Sequence, residues 1–165
     1  MWGRSVTLEN MHYFEPSIRY VKETHMKVYV ASPFFNETEC EALSQVEQIL
    51  RERGLTIFSP REHEVREGNI GSPSWSKETF LNDVAGINWC DIVVMLYWGN
   101  YSDSGTAWEC GYAYAIHKPV VVVQLGESSN LMVHEGSHTN VMSIEELRTY
   151  DFETMPREGY KGKMF

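Results

Sequence analysis

The chain predicts an α/β fold: a flavodoxin-like or Rossmann-like doubly wound sheet of five parallel strands in a single domain. Three observations carry that expectation. Short, β-branched apolar runs alternate with segments whose apolar residues recur at helical spacing. The two strongest runs, Asp91 to Tyr97 and Pro119 to Val123, are apolar at nearly every position, as befits strands covered on both faces. Finally, 165 residues with 42% hydrophobic and 13% aromatic content suffice for one compact core, and two domains would be cramped.

Residues 1–25 mix Trp, Tyr, Phe and charged residues without a sustained period, so they read as an N-terminal extension before a domain spanning 26–165. Val28 to Ala31 predicts the first strand. Asn36 is placed to cap the helix that follows, with Glu39 three positions on, and Leu43, Val46, Ile49 and Leu50 mark its buried face. Gly54 ends that helix, and Leu55 to Phe58 forms the second strand. A polar loop from Arg61 to Ser74, long for an α/β connection, leads to a helix whose Phe80, Val84 and Ile87 are expected to face the core. After the central strand and the loop from Trp98 to Gly105 comes a helix from about Thr106 to His117. A fourth strand, a short helix near Leu131, a weak fifth strand around Val141 and a helix at Ile144 to Leu147 complete the pattern.

Charge and cysteine usage narrow the function. A net charge of -9 argues against a nucleic-acid polymer as partner, because phosphate backbones are held by clustered Lys and Arg. Cys40, Cys90 and Cys110 are scattered and odd in number, which fits reduced thiols in a cytoplasmic protein. No apolar run approaches the length of a membrane span, and no signal-peptide pattern is present. The first strand is not followed by a Gly-x-Gly-x-x-Gly turn, nor is there a phosphate-binding lysine loop, so no cofactor is expected. His134-Glu135-Gly136-Ser137-His138 matches the two-histidine zinc-protease spelling, but the interrupting glycine and the lack of a third ligand set it aside, and no metal is expected.

In open parallel sheets ligands bind beyond the carboxyl ends of the strands, which directs attention to the loops there. The loop after the central strand reads Asp103-Ser104-Gly105-Thr106-Ala107-Trp108-Glu109, with carboxylates in the loop and one turn into the helix. Two readings stand side by side. Glu109 either faces the strand-end crevice or closes a capping box begun by Thr106. Asp83 is likewise either a solvated helix charge or a crevice carboxylate, and Tyr29 is a buried phenol in need of a partner.

Taken in order, Lys27-Val28-Tyr29-Val30-Ala31-Ser32-Pro33-Phe34-Phe35, Phe58-Ser59-Pro60-Arg61-Glu62, Asn82-Asp83, Asp103 to Glu109, Asn130-Leu131-Met132, Tyr150-Asp151-Phe152 and an aromatic C-terminal residue resemble the nucleoside 2-deoxyribosyltransferases. The resemblance runs from about Met26 to the C-terminus. It implies transfer of 2-deoxyribose between purine or pyrimidine bases, with deoxynucleosides and free nucleobases as partners. It further implies Glu109 as nucleophile oriented by the Tyr29 hydroxyl, Asp83 handling the proton at the base, and Asp103 holding substrate, with Gly105 and Phe34 also at the substrate. Asn130 and the carboxylate of Phe165 resemble the residues that reach a neighbouring subunit's pocket, so the resemblance implies a homo-oligomer with shared active sites. Glu64, beside His63, stands where several members carry a glutamine; an acceptor-only carboxylate there replaces a donor and acceptor. Aromatic walls for a planar base are sought among Phe34, Phe35, Trp75 and Trp98. Two other functions remain compatible with the same residues: an N-glycosidase, in which water resolves the intermediate, and a non-catalytic nucleotide-binding module.

Overall fold

The computed structural model describes residues 26–66, 68–99 and 103–164. The expected N-terminal extension, residues 1–25, and Phe165 lie outside the described residues.

Five strands, β1 (Lys27–Ala31), β2 (Thr56–Phe58), β3 (Ile92–Tyr97), β4 (Val120–Gln124) and β5 (Thr139–Val141), form one sheet in the order β2-β1-β3-β4-β5, all parallel. This is the expected doubly wound, flavodoxin-like order, whose direction reverses between β1 and β3. The helices are α1 (Glu37–Glu52), α2 (Pro73–Trp89), α3 (Ser104–Ala115), α4 (Leu131–Glu135) and α5 (Ile144–Thr149).

Alternation along each strand divides the core into two layers. Val28, Val30, Val94, Leu96, Val121 and Val123 point to the layer sealed by Leu43, Val46 and Leu50 of α1 and Leu147 of α5. Tyr29, Ala31, Val93, Met95, Tyr97 and Val122 point to the opposite layer, where Ile87 of α2 and Cys110 and Ala113 of α3 meet them. Both faces of β3 and β4 are therefore buried, which explains their continuous apolar spelling.

The cap of α1 follows the sequence: Asn36 accepts from the Glu39 amide at 3.0 Å, and the Glu39 carboxylate accepts from the Phe35 amide at 2.8 Å. Gly54 leaves that helix with φ of 74°. For α2 the expectation of a core-facing Phe80 is corrected, because Phe80 is 50% exposed and only Gly86 and Ile87 of this helix are buried. The helix touches the sheet through its C-terminal half and stands away from it earlier. Gly86 sets the point of contact: a Cβ there would lie 2.9 Å from the Phe58 ring and from Tyr29 Cδ2, so a side chain would push α2 off β1.

The segment after β2 is anchored by charge. Glu47 of α1, 1% exposed, accepts from Ser59 Oγ at 2.6 Å and from Arg61 Nε at 2.9 Å, and pairs with the Arg61 Nη2 as well. Removing the guanidinium would strand a buried carboxylate. Arg61→Ala is therefore expected to cost about 3 kcal/mol of stability, read as a lower urea midpoint at unchanged slope, whereas Glu52→Ala, at an exposed pair with Arg148, should change little.

Candidate active site

The carboxyl ends of the strands deliver the side chains singled out above to one place. Tyr29 Oη donates to Glu109 Oε1 at 2.6 Å, joining the middle of β1 to the second turn of α3. This contact decides between the two readings of Glu109. The cap of α3 is Asp103, whose carboxylate accepts from the Thr106 amide at 3.2 Å, one turn ahead of the Thr106 box. Glu109 is thus free of capping duty. The Asp103 carboxylate lies close over the first turn of α3, where a Cβ at Gly105 would stand 2.8 Å from its Oδ2.

Glu109 forms part of the wall of a cavity of about 440 Å³ between α2 and α3. Asp83 and Gly105 share that wall, and Trp75, Phe80 and Trp108 supply its aromatic sides. Phe80 and Trp108 lie against one another with ring centroids 5.3 Å apart. The exposure of Phe80 is thereby explained: it borders a ligand-sized space and not the core.

The electrostatics follow from burial. Desolvation raises the Glu109 carboxyl to about 8, with further upward pressure from Asp83 and Asp103, while the hydrogen bond from Tyr29 favours the charged form and works against it. Desolvation raises Asp83 to about 6, and its Oδ1 is enclosed without a partner among the described residues. The Tyr29 phenol is pushed far above its ordinary value by burial and by the neighbouring carboxylates, so it acts as a donor and keeps its proton. Tyr29 is itself held by a stack: its ring lies 5.6 Å from Phe58, which lies 4.3 Å from His63, and the His63 carbonyl accepts from Asn82 Nδ2 at 2.9 Å.

Asp103, Glu64 and Phe34, expected at the substrate, do not line this cavity, and Asn130, expected at a neighbouring subunit's pocket, is placed apart from it as well. Glu64 is exposed and does not line the cavity. Phe34 and Trp98 pack on the α1 side of the sheet, against the layer containing Val28 and Val30, so neither walls the space at Glu109. Asn130 caps α4, accepting from the Met132 amide at 2.9 Å, and lines a separate cavity of about 620 Å³ against α3. The expected place of Phe165 lies outside the described residues. Conversely, Thr79, Phe80 and Trp108 line the cavity without having been singled out for it. For Thr79 the signal is periodic: Trp75, Thr79 and Asp83 fall at i, i+4 and i+8, one face of a helix.

The zinc-protease spelling is occupied otherwise. His134 Nδ1 contacts Asn140 Oδ1 at 2.7 Å, and His138 Nε2 faces the Met155 carbonyl at 2.9 Å. Among the described residues, no group of three or more His, Cys, Asp or Glu is placed to hold a metal ion.

A tyrosine-oriented carboxylate that shares an aromatic-sided cavity with a second carboxyl can attack an electrophilic carbon while a proton is delivered nearby. Residues 28–142 match the family model described as nucleoside 2-deoxyribosyltransferase. The chain belongs to this family. A nucleoside deoxyribosyltransferase of Limosilactobacillus fermentum is 26% identical over 129 residues, covering 68% of this chain and 77% of that protein. One from Lactobacillus johnsonii is 34% identical over 95 residues, covering 55% and 63%. The solved structure of the 2-deoxyribosyltransferase of the psychrotolerant bacterium Bacillus psychrosaccharolyticus superposes with a TM-score of 0.76 at 42% identity, covering 81% of this chain and 98% of that one. Membership makes the protein an enzyme of the pentosyltransferase class, and the family's reaction, deoxyribose transfer, directs the reading of the cavity.

Proposed function

We propose that the enzyme moves 2-deoxyribose from one base to another by a retaining double displacement through a deoxyribosyl ester of Glu109. The observation that carries this reading is the 2.6 Å contact of Tyr29 Oη with Glu109 Oε1 at the wall of a cavity that also holds Asp83. In the first step the free Glu109 oxygen bonds to the anomeric carbon as the bond to the base nitrogen breaks. The departing base takes the proton of Asp83. In the second step the incoming base attacks the same carbon, Glu109 leaves as a carboxylate, and Asp83 recovers a proton from the base.

Tyr29 donates to Glu109 throughout, which fixes its rotamer and stabilises the carboxylate as it departs. The aromatic walls at Trp75, Phe80 and Trp108 suit a planar base. A deoxyribose lacks the electron-withdrawing 2-hydroxyl, so its oxocarbenium-like transition state is reached with carboxylates alone. In this reading Asp103, whose carboxylate caps α3 by accepting from the Thr106 amide, would hold the sugar.

Two features support an assembly of identical subunits. Asn130 opens onto a cavity distinct from the one at Glu109, and its neighbours Leu131 and Met132 are 48% and 77% exposed, an apolar surface that a second copy would cover. Free thiols at Cys40, Cys90 and Cys110 support a reducing cytoplasmic setting, where base exchange would serve nucleoside salvage.

The test is incubation with a deoxynucleoside and a different free base, followed by chromatography. A new deoxynucleoside is the expected product. Free deoxyribose alone would make the protein a hydrolase, and no reaction would remove the enzymatic reading of Glu109.

A further inference from the structure

We propose that Thr79 is a specificity-determining residue that hydrogen-bonds an exocyclic amino or oxo group of the bound base. Thr79 lines the cavity one helical turn before Asp83, and its hydroxyl oxygen is enclosed without a partner among the described residues, as is Asp83 Oδ1. A threonine inside a helix ordinarily satisfies its hydroxyl on the carbonyl four residues earlier. Thr79 makes no such bond to Trp75.

An enclosed polar atom without a partner forfeits its hydrogen bonds to water and is destabilising. Two such atoms on one face of α2, both beside the same cavity, describe a polar edge that a ligand completes. Side chains at i and i+4 of a helix stand about 5–6 Å apart at Cβ. That separation allows one group to meet a ring nitrogen of a base while the other meets a substituent further along the same edge.

The direction of the stripe assigns the two roles. Asp83 interacts electrostatically with Glu109 and Tyr29, so it lies at the sugar end. Thr79 and then Trp75 continue along α2 away from Asp83, where the body of a base would extend. A threonine hydroxyl donates as well as accepts, so it serves an amino or an oxo substituent equally by rotating its proton. A base lacking the substituent leaves the hydroxyl enclosed and unpaired, and is selected against for that reason.

This inference rests on the base-exchange reading, and its test separates the two. Thr79→Val, nearly isosteric, and Thr79→Ser, which keeps the hydroxyl, are compared with the parent using pairs of acceptor bases that differ by one substituent: adenine against purine, and cytosine against pyrimidin-2-one. Melting curves establish that each variant is folded. In the valine variant kcat/KM for the substituted base is expected to fall on the order of three- to tenfold, chiefly through KM, while the unsubstituted base is used as well as before or better. The serine variant is expected to keep the parent's discrimination.

An equal loss for both members of a pair would make Thr79 structural and overturn the inference, as would no change for either. A serine variant that behaves like the valine variant would also overturn it. Exchange that proceeds in the parent alongside any of those results leaves the proposed function standing. Absence of glycosidic chemistry in the parent overturns both.

Discussion

Glu109→Gln is expected to reduce base exchange on the order of 10⁴-fold while leaving the fold intact, because the amide keeps the size and the acceptor for Tyr29 but loses the nucleophile. The matching physical readout is mass spectrometry after brief exposure to a slow fluorinated deoxynucleoside. The parent chain should gain the mass of the sugar on the peptide holding Glu109, and the variant should gain nothing. Sugar retained by the variant would move the nucleophile elsewhere.

The same substitution should stabilise the protein, and the pH dependence gives the sign. Folding raises the Glu109 carboxyl from 4.5 to about 8, so the native state prefers the protonated group. Its contribution to stability is fully present below about 4.5 and is lost as pH climbs to about 8. Glutamine stays neutral throughout. The variant's melting temperature is therefore expected to exceed the parent's by a margin that opens across that interval and is largest above it. Such a trade, stability for a desolvated carboxylate, is the pattern of a functional group held where folding alone would not place it.

The contrast between Glu109 and Phe80 shows what the sequence made legible. Strands β3 and β4 were readable because burial on both faces leaves little choice of residue, and β1 was found to within one position. The role of Glu109 was ambiguous for a physical reason: Asp103 and Thr106 are both good caps and lie one turn apart. Asp103 starts the helix, accepting from the Thr106 amide, and periodicity carries no signature of that choice. Phe80 has the spacing of a core residue, yet α2 leans on the sheet only near Gly86, so its earlier turns border an open space. The side of the sheet to which a loop turns is equally silent in the sequence, and Phe34 and Trp98 turn to the α1 side.

The pH profile of exchange is expected to be a bell centred near neutrality, with limbs that belong to the Asp83–Glu109 pair, burial raising one carboxyl to about 6 and the other to about 8. The mechanism requires one proton on the carboxyl pair: an ionised Glu109 to attack and a protonated Asp83 to release the base. Below the lower limb both are protonated and no nucleophile exists; above the upper limb both are ionised and no acid remains. The singly protonated pair dominates between them whichever oxygen carries the proton in the free enzyme, because the two groups titrate as a unit. A bound base favours the productive arrangement, since its nitrogen engages the proton on Asp83 while the Tyr29 hydroxyl holds charge on Glu109. Asp83→Asn removes the acid and not the nucleophile. Exchange of ordinary deoxynucleosides should fall on the order of 10²-fold, and the alkaline limb should vanish, leaving a rate that rises with pH and levels off. A deoxynucleoside whose base carries a fixed positive charge, such as a 7-methylated purine, departs without needing that proton, and its cleavage should survive the substitution nearly unchanged. If the asparagine variant lost both substrates alike, Asp83 would be acting on the shape or charge of the cavity and not as the proton donor.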